Sequence, residues 1–408
     1  MKRIYLDNAA TTPLDSEVKR AMEPYFDQEY GNPNSLHWFG QQARAAVDRS
    51  REAIANAIGA RFREVIFTGS ATEGNNLAVR GTVKKARAIF DAVQNGKPMK
   101  VIVSAIEHDS ILDTVRDMEK EGIEVVIIPV NDRGYVDAKK IEAALDERTV
   151  LVSVMYANNE VGTIQPIRDI AEVIKRFRSR GNALPYYPLF HTDAVQAFNY
   201  LGCNVDELGV DLMTLSGHKV YGPKGVGALY VRTLDSVTHM HDDRMYIISP
   251  RIFGGGQEFG MRSGTENVPA IVGFAEATNI SLVMRTQERE RLAALKELFW
   301  EKLQKLYPDA AINGSLGDAE YELPNILNVY FPPWKGGELL IALDLHGVAV
   351  SSGSACAARS ALPSHVLSAM GFDDDRAGGS LRFSLGRNTT ENDIAHTIAV
   401  LKEVLHAQ

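Results

Sequence analysis

Apolar positions along the chain follow two rhythms. Val18, Ala21, Met22, Tyr25 and Phe26 recur three or four apart, which marks one face of a helix, and Ser16 stands before them as a candidate N-cap. A second helix running to about Ile58 repeats the pattern with Ala43, Ala46, Val47, Ile54, Ala57 and Ile58, and Gly59 is placed to end it. The loop at 31–35 lies between the two, with His37 beside it and no role assigned to that histidine. Short unbroken apolar runs then predict strands at 64–68, 100–104, 124–128, 150–155, 189–192, 211–215 and 226–231. Helical spacing fills several gaps: from about Asn75, at 110–121, at 137–146 and at 167–178. Strands of near-continuous apolar character alternating with helices predict an α/β fold with a mostly parallel sheet covered on both faces. From Asn267 the rhythm changes. A long helix at 269–306 is followed by short strands at 326–330, 348–351 and 380–385 and helices near 337–346, 363–370 and 391–406. Strict alternation is lost there, which predicts a second, smaller α+β domain.

Composition narrows the function classes. The 408 residues suffice for two domains and a large core, and 45% hydrophobic with 24% charged residues is ordinary globular composition. A net charge of −8 gives no case for nucleic acid or an anionic membrane as partner. No apolar run approaches membrane-spanning length, and the N-terminus turns polar at once, so a cytoplasmic protein is expected. Cys203 and Cys356, far apart, form neither a disulfide framework nor a metal-ligand spacing. Cys203, between Leu201 and Val205, reads as packing. His239 and His241, followed by Asp242 and Asp243, read as a solvated loop, because no further ligand spacing supports a metal there.

The chemistry gathers just past the predicted strand ends, where open parallel sheets bind ligands. In order these positions are Ala71 and Thr72; Glu107 and His108; Asn158, Asn159 and Glu160; Asp193 and Gln196; and Ser216, His218 and Lys219. A helix opened by Gly69-Ser70-Ala71-Thr72 suits a phosphate, although an ordinary helix cap has the same sequence. Lys219 lies between two apolar runs, where desolvation favours the neutral amine that a Schiff base needs. A solvated turn lysine is the alternative. Lys224 competes for the role from a Gly-Pro-Lys-Gly turn that favours exposure. Gly254-Gly255-Gly256 fits neither a Walker loop nor a dinucleotide fingerprint. A lysine, a phosphate site and an aspartate at neighbouring strand ends point to pyridoxal 5'-phosphate: the aspartate would keep the pyridine nitrogen protonated. A histidine on the ring and an amide at the ring oxygen would complete the set.

Several motifs carry a resemblance along nearly the whole length. They are residues 5–12 (Tyr-Leu-Asp-Asn-Ala-Ala-Thr-Thr), 71–76 (Ala-Thr-Glu-Gly-Asn-Asn), Glu107-His108, 158–162 (Asn-Asn-Glu-Val-Gly) and 191–196 (His-Thr-Asp-Ala-Val-Gln). Ser216-Gly217-His218-Lys219, 261–265 (Met-Arg-Ser-Gly-Thr), 351–356 (Ser-Ser-Gly-Ser-Ala-Cys) and 382–387 (Arg-Phe-Ser-Leu-Gly-Arg) complete them. The chain resembles the cysteine desulfurases, pyridoxal-phosphate enzymes of the class V aminotransferase group with fold type I. That resemblance implies a large cofactor domain at 16–266 built on a seven-stranded, mostly parallel sheet, and a small domain from 1–15 and 267–408. By position, Lys219 resembles the Schiff-base lysine and His108 the ring-stacking histidine. Asp193 resembles the pyridinium partner, Gln196 the ring-oxygen contact and Asn158 a contact to substrate and cofactor. Ala71, Thr72, Ser216 and His218 resemble the phosphate site. Thr265 resembles a phosphate contact made in the partner's site, which implies a homodimer. Arg382 resembles the clamp on the substrate carboxylate, and Cys356 the nucleophile that accepts sulfur. No metal is implied.

The implied reaction converts L-cysteine to L-alanine and leaves a persulfide on Cys356 for an acceptor, an iron–sulfur scaffold or a sulfur carrier. The small, polar neighbours of Cys356 suit exposure better than core. Segments near 84–98, 181–189 and 233–251 read as longer than the family pattern, and the usual C-terminal docking segment is not seen before Gln408. The alternatives are selenocysteine lyase or another class V reaction, a nucleotide-binding protein, and a non-catalytic sulfur-transfer scaffold.

Overall fold

The structure is a computed structural model and describes residues 3–93, 97–181, 186–234, 246–353 and 363–406. The chain opens with β1 (Ile4–Tyr5), α1 (Ser16–Met22), α2 (Pro24–Asp27) and α3 (Trp38–Ile58). Alternation follows: β2 (Val65–Thr68), α4 (Ala71–Val93), β3 (Lys100–Ser104), α5 (Asp109–Glu119), β4 (Glu124–Ile128) and α6 (Ala138–Ala144). It continues with β5 (Thr149–Ser153), α7 (Ile167–Ser179), β6 (Leu189–Asp193), α8 (Val205–Leu208), β7 (Leu212–Ser216) and β8 (Gly227–Val231). After the 39-residue α9 (Val268–Leu306) come β9 (Ala311–Asn313), β10 (Ile326–Tyr330), α10 (Gly336–Leu345) and β11 (Val348–Ala349). The short helices α11 (His365–Ala369) and α12 (Asp374–Gly378), then β12 (Ser380–Ser384) and α13 (Glu391–Leu405), close the fold.

Seven strands form one sheet in the order β2-β8-β7-β6-β5-β3-β4. Only β8 runs against its neighbours, β2 and β7; the other pairings are parallel. The strands read as unbroken apolar runs because both faces are covered. Val101 and Val103 of β3 pack into one core cluster, with α4 and α5, while Ile102 between them points into the other. All parallel strands of this sheet end on one edge, so Thr68, Ser104, Ser153, Asp193 and Ser216 share it. The C-terminal part holds a three-stranded antiparallel sheet, β12-β10-β9. β1 pairs in parallel with β11, which ties the N-terminal segment to that part, and Asp7 forms a further bridge to Ser384.

Three expectations need adjustment. Asp15, not Ser16, caps α1, its carboxylate accepting from the Glu17 amide at 2.8 Å. The helix expected from about Asn75 begins at Ala71, because the Ser70 hydroxyl already accepts from the Glu73 amide. The strand expected at 348–351 is only two residues long, since Ser351 leaves β1 and bridges Arg382 instead. β1 and β9, two and three residues long, had no readable period. Gly59 ends α3 as expected: at φ 67° it is left-handed, and its amide reaches Ala55 and Asn56 oxygens.

Candidate active site

Lys219 ends a single 3₁₀ turn that follows β7. The turn is tight. A Cβ on Gly217 would sit 2.9 Å from Val226 Cγ1 and 3.0 Å from the Pro223 oxygen, so only glycine fits. The N-terminal segment lies across the turn. Thr12 donates through both its amide and its hydroxyl to the His218 oxygen, each at 3.0 Å. The Lys219 ammonium in turn donates to the oxygens of Ala9 and Ala10 (the latter at 2.8 Å), and Gln196 Nε2 donates to the same Ala9 oxygen at 3.0 Å. Lysine and glutamine are thus held at one wall.

Asp193 closes β6 with its side chain buried. Its Oδ1 accepts from the Val195 amide at 3.0 Å and its Oδ2 from Asn75 Nδ2 at 2.8 Å. Asn75 Nδ2 also donates to Ser110 Oγ at 2.8 Å. The Ser110 amide donates to His108 Nδ1 at 3.0 Å, so that nitrogen is an acceptor, and Ser110 Oγ, 2.9 Å away, donates to it as well. A continuous relay, Asp193–Asn75–Ser110–His108, links two residues singled out in the sequence through two that were not. Asn75 follows Ala71 by four residues, on the same face of α4, which is the signal that could have found it.

Charge is tightly rationed behind this wall. Glu107 is wholly buried, and burial, aided by the nearby Asp193 charge, pushes its carboxyl up to about 8 against hydrogen bonds from Ser104 and Met155 that pull it down. It is therefore protonated at neutral pH, and its Oε2 has no partner among the described residues. His191, between Ser153 Oγ at 2.8 Å and Thr214 Oγ1 at 3.0 Å, is pushed down to about 3 by burial. Burial, then the charges of Lys219 and Lys224, push His218 down to about 4. Both histidines are neutral at pH 7.

At the start of α4, Ser70 occupies the Glu73 and Gly74 amides, while those of Ala71 and Thr72 precede the first intrahelical bond. They stand at the positive end of a 23-residue helix. Opposite, Arg382 sits at the centre of β12 with its side chain 1% exposed. Its Nη1 donates to the Asn159 oxygen at 2.8 Å and its Nη2 to Asp7 Oδ1 at 2.7 Å. Its Nε is buried with no partner among the described residues.

These groups enclose a cavity of about 250 Å³, which Ala71, Thr72, His108, Asp193, Gln196, His218, Lys219 and Arg382 all line. Met155, Ala157 and Val195 give it apolar walls. Asn158 does not line it. Its Oδ1 accepts from the Glu160 and Val161 amides and its Nδ2 donates to the Ile106 oxygen, so it braces the turn, and Asn159 reaches the cavity instead. Ser216 is buried in the end of β7 and is not on the lining either. Thr265 lines a second cavity of about 180 Å³ with Gly69 and Arg262. Lys224 is exposed and outside the lining. Cys203 is buried, its thiol pushed up to about 12 by burial, as a packing residue should be. Cys356, His239, His241, Asp242 and Asp243 lie outside the described residues. Among those described, no group of three or more histidine, cysteine or acidic side chains could hold a metal.

The aminotransferase class-V family model matches residues 4–396. The chain is 43% identical over 406 residues to the cysteine desulfurase IscS of Dictyoglomus turgidum, covering 99% of this chain and 95% of that protein. The chain belongs to the cysteine desulfurase family. The human cysteine desulfurase is 40% identical over 98% of this chain and 80% of its own. Among solved structures, a NifS-like protein is 35% identical with a TM-score of 0.87, covering all of both chains. The structure of SspA in complex with cysteine is 34% identical with a TM-score of 0.76, over 94% of this chain and 99% of that one. The cysteine desulfurase fold therefore extends over the whole chain, including the C-terminal sheet that carries Arg382.

Proposed function

We propose that the protein is a pyridoxal-phosphate-dependent cysteine desulfurase that converts L-cysteine to L-alanine and stores the sulfur as a persulfide on Cys356. The observation that carries this reading is the convergence of Lys219, Asp193, the start of α4 and Arg382 on one cavity in a member of this family. The donor set suits the cofactor. Helix amides, His218 and the Thr72 hydroxyl would suit a phosphate, and Asp193 would suit a pyridine nitrogen. Asn75 Oδ1 and Arg382 Nε, on two residues of the lining, are buried with no hydrogen-bond partner among the described residues.

In this reading Ala71, Thr72 and His218 would hold the phosphate end and Gln196 would take the ring oxygen, while Ser216, off the lining, would support the turn that carries His218 and Lys219. His108 would cover the ring face, and Asp193 would hold the proton on the ring nitrogen. Asn158 acts through the turn it braces, with Asn159 nearer the substrate. Bound there, pyridoxal phosphate supplies an electron sink for the bond broken at the substrate Cα. Lys219 would hold the cofactor, and its amine would take the substrate Cα proton and return it. Arg382 fixes the substrate carboxylate with its remaining donors. The Cys356 thiolate attacks the substrate sulfur, so that an S–S bond forms as the Cβ–S bond breaks. The electron pair of the broken bond stays with the carbon, Cβ gains a proton, and alanine and persulfide balance without an outside oxidant.

Thr265 lies away from its own chain's cavity, which supports a homodimer in which it serves the partner's site. The persulfide then passes to an acceptor, an iron–sulfur scaffold or a sulfur carrier. Among the described residues no helix is long and apolar enough to cross a membrane, and we place the reaction in the cytoplasm. The test is alanine and sulfide production from L-cysteine, with mass analysis of Cys356 for one added sulfur. A colourless protein indifferent to added pyridoxal phosphate, or Cys356→Ala releasing sulfide at the normal rate, would sink the reading.

A further inference from the structure

Glu160 stands at a strand end beside the cavity, yet the reaction above gives it no task. It is 1% exposed. Its backbone is fixed on both sides: the amide donates to Asn158 Oδ1 at 2.8 Å, and the oxygen accepts from Asn328 Nδ2 of β10 at 3.1 Å. The oxygen of the preceding residue, Asn159, accepts from Arg382. Glu160 is therefore held in register with the cavity's substrate end.

Its carboxylate meets two points of chain on either side of residues 354–362. Ser364 Oγ, itself buried, donates to Glu160 Oε2 at 2.5 Å and also accepts from the Leu367 amide at 3.2 Å as the cap of α11. Gly353 is close to the same oxygen, with little room between them for a side chain. A Cβ on Gly353 would sit 3.2 Å from Glu160 Oε2 and 3.6 Å from Ser364 Cβ, and its φ of +102° is one that other residues rarely adopt. Gly353 and Ser364, described residues on either side of 354–362, thus stand close to each other at one buried carboxylate. Each stem is pinned to the site on its far side. Ser351 exchanges backbone hydrogen bonds with Arg382 (3.2 and 2.6 Å), and His365 Nε2 lies 3.0 Å from the Glu107 oxygen, next to His108.

We propose that Glu160 is a positioning residue for sulfur transfer: it clamps Gly353 and Ser364 together and so fixes the root from which Cys356 reaches the substrate. The proposal rests on the desulfurase reading. A thiolate tethered at a fixed root attacks at a high effective concentration, and a displaced or spread root lowers it without touching the cofactor.

The test is single-turnover persulfide formation on Cys356 after rapid mixing of the holoenzyme with L-cysteine, read by alkylation and mass analysis. The change in cofactor absorbance on cysteine addition is followed in parallel. Glu160→Gln, Ser364→Ala and Gly353→Ala should slow persulfide formation about tenfold or more. The absorbance change and the KM for cysteine should stay within about twofold. Ser364→Thr, which keeps the hydroxyl, should stay near the wild-type rate. Wild-type persulfide rates in both Glu160→Gln and Ser364→Ala would overturn the proposal, and so would equal slowing of the absorbance change, which would put Glu160 in the cavity chemistry. If Glu160→Gln does not fold, the Ser364→Ala and Ser364→Thr pair decides alone. A wild-type enzyme that forms no persulfide on Cys356 overturns the desulfurase reading, and this proposal with it.

Discussion

Arg382→Lys probes the substrate end of the cavity most directly. The guanidinium has five N–H donors, and the protein uses two of them, on the Asn159 oxygen and on Asp7. The hydrogen bonds of the described residues leave one further hydrogen on each of Nη1 and Nη2 for a carboxylate, which can take two in parallel. Lysine keeps the charge but loses the fork, so one charge-assisted hydrogen bond goes. Such a bond is worth about 1.5–3 kcal/mol. At 1.4 kcal/mol per factor of ten, the KM for L-cysteine should rise about 10- to 150-fold, with a smaller change in kcat. Arg382→Ala should lose more and should also lower the melting temperature, because Asp7 then has no cation beside its largely buried carboxylate. Asp7→Asn separates the two effects: it should cost stability while leaving most of the cysteine affinity. The assay is steady-state sulfide release under reductant over a range of cysteine, with cysteamine, which lacks the carboxylate, as a poor substrate for comparison. Arg382→Lys should narrow the gap between cysteine and cysteamine. A KM within about threefold of wild type, in a variant that melts normally, would refute the clamp.

The remaining predictions test the other walls. Lys219→Ala should lower alanine formation by roughly a thousandfold or more and let the cofactor wash out on dialysis; a variant keeping a tenth of the activity would exclude Lys219 as the proton carrier. Asn75→Ala removes the shared donor of the relay, and the lost hydrogen bonding of about 1–3 kcal/mol should weaken cofactor binding about 5- to 150-fold in an absorbance titration. Unchanged binding would mean that the relay does not support Asp193. Glu107 has its carboxyl raised from 4.5 to about 8 by burial, so its folded form keeps a proton the unfolded chain releases. Stability is therefore lost as pH rises from about 4.5 through 8; Glu107→Gln should gain on wild type across that window in melting scans, and an equal gap at pH 5 and pH 9 would contradict the assignment. Cys203, with its thiol near 12, should resist iodoacetamide at pH 8 in the folded protein while Cys356 is labelled; comparable labelling of both would show that Cys203 is not sealed in the core.

The strand ends were legible because each carries chemistry that breaks the apolar run before it. β6 ends in Asp193 and β7 in Ser216, one turn before Lys219, and both strands are buried along their whole length. Seven such runs alternating with helices were enough to predict the sheet, and all of them appear in it within one or two residues. What was not legible depends on contacts between distant segments. Asn75 looks like an ordinary helix position until Asp193 and Ser110 are brought to it, 118 and 35 residues away. Asn158 was expected at the ligand, yet its amide is consumed by its own turn and its neighbour faces the cavity. Sequence spacing cannot decide which of two adjacent asparagines points inward when the strand ends in an irregular turn.

The same distinction separates the two halves of the proposed reaction. Proton transfer needs groups whose positions do not drift, and those sit on the rigid edge of the sheet, with charge removed from Glu107, His191 and His218 by burial. Sulfur transfer needs a nucleophile that meets the substrate and then an acceptor, so its root rather than its whole path must be fixed. Glu160 touches both requirements. It belongs to the sheet edge through Asn158 and Asn159, and to the root of the Cys356 segment through Ser364. A change there should uncouple the two steps, leaving substrate binding intact while sulfur transfer fails.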